Sequence, residues 1–429
     1  MKAKIKKVYM GVPVPSWPKA NFDINIDIEE IEKILADIEL KSDLEVEFTD
    51  KSIVRTPEDV DKLKDNLKDV DGILAFNLSS GLYEIFSKIV GFGIPTVLFS
   101  QPYSGHDWSR VAQMRKEGKK VDVLATSDYN EIIGRLKLIE VIRKLKETKI
   151  IYIGNGGANP NYVRRIKNKF GTDVISVSSS YLREIYNSID EQLANKEADK
   201  WINNALKVIE PTREEIVKSS KMYLAIKEIL NERKANAITI NCLGLFAKNA
   251  LPAYPCFSFS KLNDEGMTGV CEADLDSTMT QLIMSYLAGK PGFVADPVID
   301  TAKNVVIHAH CVSATKMDGP SGKSAPCIIR SHTEDNKGAS LQVFMRVGQK
   351  VTVAKLINLE TMLISIGKIV SNPESDRGCR TKIEVKVDNA RKILDNWTGA
   401  LHRVIFYGDY VEEVINLGKL LGVQVVKEG

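Results

Sequence analysis

The residues best able to do chemistry lie in one stretch, FSFSKLNDEGMTGVCEADLDSTMTQLIMSYLAGKPGFVADP, which runs from Phe257 to Pro297. Its first half carries five carboxylates: Asp264, Glu265, Glu272, Asp274 and Asp276. Leu275, Met279, Leu282, Ile283, Tyr286 and Leu287 recur at helical spacing, so a buried helix begins near Leu275. Asp274 and Asp276 then read as its cap and as charges that complement its dipole. Glu272 reads differently. Its neighbours Val270, Cys271 and Ala273 are small or apolar, so its carboxylate is expected to leave bulk water. A buried carboxylate needs a partner, and a cation is the natural one.

Asp296 ends the next apolar run, GFVAD, just before Pro297. Taken alone it reads as a turn residue. VVIHAHCVSA reads as a buried strand, and a period of two puts His308 and His310 on one face. Two such imidazoles can hold a metal, although a buried histidine is more often simply hydrogen-bonded. His402 stands at the front of the apolar strand in GALHRVIFYGDY. His106 and Trp108 lie in QPYSGHDW, a loop-like run rich in side chains that contact polyols. Asn241 closes the strand ANAITIN and is counted with them, and with His310, as a substrate contact. GNGGANP, from Gly154 to Pro160, sits where a dinucleotide-binding loop would sit, but GxGxxG is incomplete. The following strand, DVISVS, lacks a terminal acid for a ribose. A plain strand-to-helix turn is the better reading, and no nicotinamide cofactor is expected.

Short apolar runs alternate with helical patterns through the first half: KIKKVYMGVPV, LEVEFTD, DGILAFNLS, PTVLFSQ and VDVLATS. That alternation predicts a parallel, doubly wound α/β domain over residues 1–147. KIIYIGNGGANP restarts the pattern. A long helical region from about Leu182 to Arg233 leads to ANAITINCLGLF, giving a second α/β domain over residues 148–290. SLQVFMRV, KVTVAKLINL, TMLISIGKIV and TKIEVKV follow with little helix between them. Residues 291–429 are therefore expected to form a mainly antiparallel, barrel-like β domain that completes the active site. DNARKILDNW and DYVEEVINLGKLLG are its closing helices, each expected to start on its aspartate.

With 59 basic against 56 acidic residues and a net charge of +3, no basic footprint for nucleic acid is present. No apolar stretch approaches the roughly 20 residues a bilayer requires, and Pro13 and Pro15 break the only apolar run near the start. Six scattered cysteines without a CxxC pair argue against a structural zinc site and point to a reducing cytoplasm.

GVCEADLDSTMTQLIMSYLAGKPGFVADP, the HC of HAHC, and GALHRVIFYGD resemble the core of the L-fucose isomerases. L-Arabinose isomerases are more distant cousins. The resemblance spans about Asn241 to Asp409; the N-terminal half is similar in layout more than in motif. It implies a glutamate, an aspartate and a histidine that bind manganese, falling here on Glu272, Asp296 and His402. The separation of 24 residues between Glu272 and Asp296 (296 minus 272) fits that pattern. His310 resembles a residue near the metal that is a ligand in arabinose isomerases, and its role stays open. The resemblance implies aldose–ketose isomerisation of a free sugar through an enediol, with Glu272 and Asp296 as acid–base pair and ligands. Magnesium or cobalt are the alternatives to manganese. It also implies a homo-oligomer, a trimer or hexamer, with active sites at subunit interfaces. Two other readings remain: another metal-dependent carbohydrate enzyme on this scaffold (a lyase, aldolase or epimerase), or a non-catalytic sugar-binding protein.

Overall fold

The computed structural model describes residues 1–429, which form two compact units. The first contains Met1–Lys144 with Glu412–Gln424, the second Leu145–Val411 with Val425–Gly429.

In the first unit, β1 (Ala3–Met10), β2 (Val46–Phe48), β3 (Ser52–Val54), β4 (Gly72–Asn77), β5 (Thr96–Ser100) and β6 (Val121–Ala125) form one parallel sheet. The order is β2-β1-β4-β5-β6, with β3 against β1. Every residue of β4 and β5 is buried, as in a parallel sheet covered on both faces. The doubly wound reading of this half is correct. Gly72 is needed where it stands: a Cβ would come within 2.5 Å of Ile139 Cδ1.

The second unit holds two sheets that matter for the site. β7 (Lys149–Ile153), β8 (Asp173–Ser176), β9 (Ala237–Ile240) and β10 (Thr268–Cys271) form a parallel sheet in the order β10-β9-β7-β8. The chain winds outward from β7 in both directions, which leaves a crevice at the carboxyl ends of β7 and β9. The GNGGANP loop is a turn there. Gly156 and Gly157 have φ of 77° and 82°, and Asn159 caps the helix Pro160–Phe170.

β11 (Phe293–Asp300) and β12 (Val305–His310) open the β-rich part. β13 (Cys327–Arg330) and β14 (Ser340–Val343) pair only with each other as a sheet. SLQVFMRV therefore stands apart from the barrel strands with which the sequence grouped it. β15 (Lys350–Ile357), β16 (Thr361–Ser371), β17 (Thr381–Lys386) and β18 (Arg403–Tyr407) join β11 and β12 in an antiparallel ring, β15-β18-β11-β12-β17-β16, closed by β15 on β16. β19 (Gln424–Lys427) adds to β16. The ring closes on Phe293, Ala295, Val306, Ile383, Val385 and Ile405. No helix is long and apolar enough to cross a membrane. The cap of the helix Ala390–Asp395 is Asn389, not Asp388: its side chain accepts the Lys392 N–H at 2.9 Å.

Candidate active site

Glu272 is the first residue beyond the carboxyl end of β10, and the turn that carries it is unusual. Glu272 and Ala273 both have positive φ, 64° and 55°. Non-glycine residues there cost of order 1–3 kcal/mol each and persist only where the surroundings enforce them. Two anchors enforce this turn. The Ala273 N–H donates to Ile240 O at 3.1 Å. Asp274 caps the helix Leu275–Ala288, accepting the Ser277 N–H at 2.9 Å. The buried stripe Leu275, Met279, Leu282, Ile283 and Leu287 fixes that helix in turn.

The barrel supplies the other groups. Ala295 of β11 pairs with Arg403 of β18, so the next residues outward, Asp296 and His402, lie side by side. His402 Nε2 is 3.4 Å from Asp296 Oδ1 and 3.6 Å from Glu272 Oε2. His310 ends β12, next to β11, and its Nε2 is 3.6 Å from Glu272 Oε1. The two imidazole rings stand 5.4 Å apart, tilted by 59°. Both histidines are buried, whereas Glu272 and Asp296 retain 35% and 31% of their side-chain exposure. A solute can therefore reach the carboxylates while the imidazoles stay fixed behind them.

The hydrogen bonds behind the cluster set its polarity. His402 Nδ1 faces Asp274 Oδ2 at 3.0 Å. The same oxygen accepts Lys355 Nζ at 2.8 Å and the Ser277 hydroxyl at 2.7 Å. Lys355, from the middle of β15, is fully buried. Burial opposes the Asp274 charge, but His402 and Lys355 hold its carboxyl well below the usual range. A carboxylate can only accept, so His402 carries its proton on Nδ1 and presents a lone pair at Nε2. That Nε2 is buried and has no hydrogen-bond partner. It is an orphaned acceptor aimed at two carboxylates, which is the arrangement a cation would complete. A carboxylate behind a ligating imidazole is the usual orienting partner. Two carboxylates and one imidazole favour a hard divalent ion such as manganese or magnesium.

The Glu272 carboxyl is held below its usual range by the neighbouring His310 and His402 imidazoles, against burial. Burial disfavours the His310 imidazolium, but Glu272, Cys311 and Asp296 outweigh it and raise the ring to about 8. The carboxylate field produces that rise, and a cation among the carboxylates would offset it.

Of the residues singled out in the sequence, Glu272, Asp296, His402 and His310 converge. His308 does not join them: its ring is buried, and burial with the Arg403 charge lowers it to about 3. Asn241 caps the helix Cys242–Ala247, accepting the Gly244 N–H at 3.2 Å. His106 and Trp108 belong to the first unit and line a cavity of about 390 Å³ with Trp17, Gln101 and Tyr103. There His106 packs on Trp17 at 5.4 Å. Asp274 does more than cap a helix, since it also orients His402, and Lys355 went unnoticed in the sequence. A lysine in the buried middle of the strand KVTVAKLI, beyond the exposed Lys350 that opens it, was the available signal. Asp276 is also more than a cap: it accepts the Tyr162 hydroxyl and the Asn358 N–H.

No protein-family model matches the chain. Sulfoquinovose isomerase of Priestia aryabhattai is 22% identical to it over 312 residues, 68% of this chain and 67% of that protein. Sulfoquinovose isomerase of Priestia megaterium gives the same values. Sulfoquinovose isomerase of Alkalicoccus urumqiensis is 23% identical over 211 residues, 47% of this chain and 46% of that one. These similarities support an isomerase enzyme.

Proposed function

We propose that the chain is a divalent-cation-dependent aldose–ketose isomerase, with Glu272, Asp296 and His402 holding the ion. The observation that carries this reading is the His402 Nε2 lone pair, buried and unpartnered, 3.4 and 3.6 Å from two carboxylates of different chain segments. The isomerase relatives add weight to it. Manganese is the first candidate, with magnesium and cobalt next. A cation in this position would supply Lewis acidity toward the carbonyl and adjacent hydroxyl of an open-chain sugar.

The chain's own residues have the rest of the work. Isomerisation moves one proton between C1 and C2 and another between their oxygens. Glu272 and Asp296 are both exposed enough to touch a substrate, and Glu272 is held ionised. One takes the carbon-bound proton and returns it to the neighbouring carbon through an enediol, while the other serves the oxygens. Asp274 and Lys355 hold the His402 ring in one tautomer, so that Nε2 stays a lone-pair donor. The substrate is an aldose of the L-fucose, D-arabinose or L-arabinose kind, or the sugar named in the relatives, sulfoquinovose. The active unit is a homo-oligomer, a trimer or hexamer, in the cytoplasm.

The test is a ketose-forming assay on these aldoses with metal-stripped protein, before and after manganese. Ketose should form only after metal is returned. Full activity in excess chelator, or no ketose from any aldose with metal present, would refute the proposal.

A further inference from the structure

The two imidazoles of the site look alike in sequence but offer opposite atoms to the same space. His310 Nδ1 accepts the backbone N–H of Cys311 at 2.9 Å. A neutral imidazole has one lone pair and one N–H. The Cys311 contact makes Nδ1 an acceptor, so the ring is in its neutral form, as it would be with a cation offsetting the carboxylates, and His310 carries its proton on Nε2. His402 is the reverse, with its proton held at Nδ1 by Asp274 Oδ2 at 3.0 Å and its lone pair free at Nε2. His310 is 4% exposed, and its Nε2 has no hydrogen-bond partner. Glu272 Oε1, at 3.6 Å, is beyond hydrogen-bond reach. A buried N–H is thus aimed, unanswered, into the gap bounded by Glu272, Asp296 and His402.

Distance alone would allow His310 to ligate a cation together with Asp296 and His402, because their ligand atoms lie within 4.8 Å of one another. The proton count does not. Ligation through Nε2 would force the proton onto Nδ1, against the Cys311 N–H. Two donors would then face each other in a site where Cys311 is 2% exposed. We propose that His310 is a hydrogen-bond donor to a substrate oxygen and not a metal ligand. This deepens the isomerase reading and rests on it. The oxygen is the one at C1 or C2 on which negative charge grows as the carbon-bound proton leaves. A fixed donor at that point stabilises the transition state more than the bound sugar. His310 keeps its proton throughout; no bond to it forms or breaks. Sequence position would make His310 the equal of His402, and only the backbone contact of Cys311 separates them.

Electron spin-echo spectroscopy of the manganese-loaded wild-type protein counts imidazole nitrogens bound to the ion. One is expected. His310→Gln should leave that signal and the manganese Kd within about threefold, while His402→Gln should abolish the signal. His310→Leu should lower kcat by about 10²–10³-fold, the usual cost of losing one such donor. His310→Gln, which keeps an N–H, should recover part of that loss. Two coordinated imidazoles in the wild type, or a tenfold weaker manganese Kd in His310→Gln, would overturn the assignment. If His310→Leu fails to fold, the wild-type spectrum decides alone. Absence of any bound manganese would overturn the isomerase reading itself, a result distinct from a two-imidazole spectrum, and the donor role would fall with it.

Discussion

Replacing Asp274 by asparagine tests whether the network behind His402 matters for the metal or only for the fold. Every group around this carboxylate donates: Lys355 Nζ at 2.8 Å, the Ser277 hydroxyl at 2.7 Å, the Ser277 N–H at 2.9 Å and His402 Nδ1 at 3.0 Å. An amide must turn its NH₂ toward at least one of them. Lys355 bears the consequences, since its side chain is 0% accessible and loses its ion-pair partner. Breaking a buried pair by removing one partner costs about 3–5 kcal/mol. Asp274 keeps 16% of its side-chain exposure, so the lower end, about 3 kcal/mol, is expected for Asp274→Asn. Losing the partner of a ligating imidazole costs about 10–100-fold in metal affinity. A double variant separates the two effects. Adding Lys355→Met removes the stranded cation, so urea unfolding should recover much of the lost stability. Manganese affinity, measured by chelator competition, should stay weak because His402 still lacks its carboxylate. If the double variant regains wild-type metal affinity along with its stability, Asp274 acts only through the fold and the tautomer argument fails.

Other expectations follow from the same geometry. Glu272→Gln and Asp296→Asn should each fold, judged by circular dichroism and melting, yet lower turnover by about 10³-fold or more, since general acid–base assistance and the cation site would be lost together; near-normal turnover in either would contradict the assigned roles. Far from the site, Asp59 completes the capping box of the helix Pro57–Leu63. Its carboxyl is lowered to about 2 by Lys62 and by the Arg55 and Thr56 N–H groups. A folded-state pKa below the unfolded value of about 3.9 gives stability that is present above about pH 4 and lost as pH falls toward 2. Asp59→Asn should therefore cost about 1 kcal/mol at pH 7 and only about a third of that at pH 2.5, read by urea unfolding at both values. A cost that does not change with pH would point to cap geometry and not charge.

The parts of the molecule that could be read from sequence are those governed by short-range rules. The α/β alternation and the close-set β runs gave both kinds of sheet, because burial on two faces or one leaves a direct mark on the apolar pattern. SLQVFMRV shows the limit: β14 has the same pattern as a barrel strand, and only its partner β13, beyond the reach of any periodicity, takes it elsewhere. Asp296 read alone as a turn residue, and it is placed instead within β11 beside His402 by the register of Ala295 on Arg403. Asp274 was legible as a cap and illegible as the partner of His402, 128 positions away. The tautomers of His310 and His402 could not be foreseen at all, because they depend on one backbone N–H and one carboxylate oxygen.

The strained turn at Glu272 links these levels. A relaxed strand-to-helix connection would let the residue after β10 follow the strand direction. Instead two consecutive left-handed residues turn the backbone sharply between Cys271 and the cap at Asp274. This turn lets one short segment serve the site twice. Glu272 lies 3.6 Å from both His310 and His402, and Asp274, two residues on, grips the far nitrogen of the same His402 ring. A glycine at 273 would relieve the strain, since φ near 55° is easy without a Cβ. It would also free the turn to sample other conformations. If the strain serves to hold Glu272 against the barrel histidines, Ala273→Gly should weaken manganese binding and turnover with little loss of global stability. If the variant is merely more stable and equally active, the left-handed pair is an accident of loop closure and plays no part in holding the site ready.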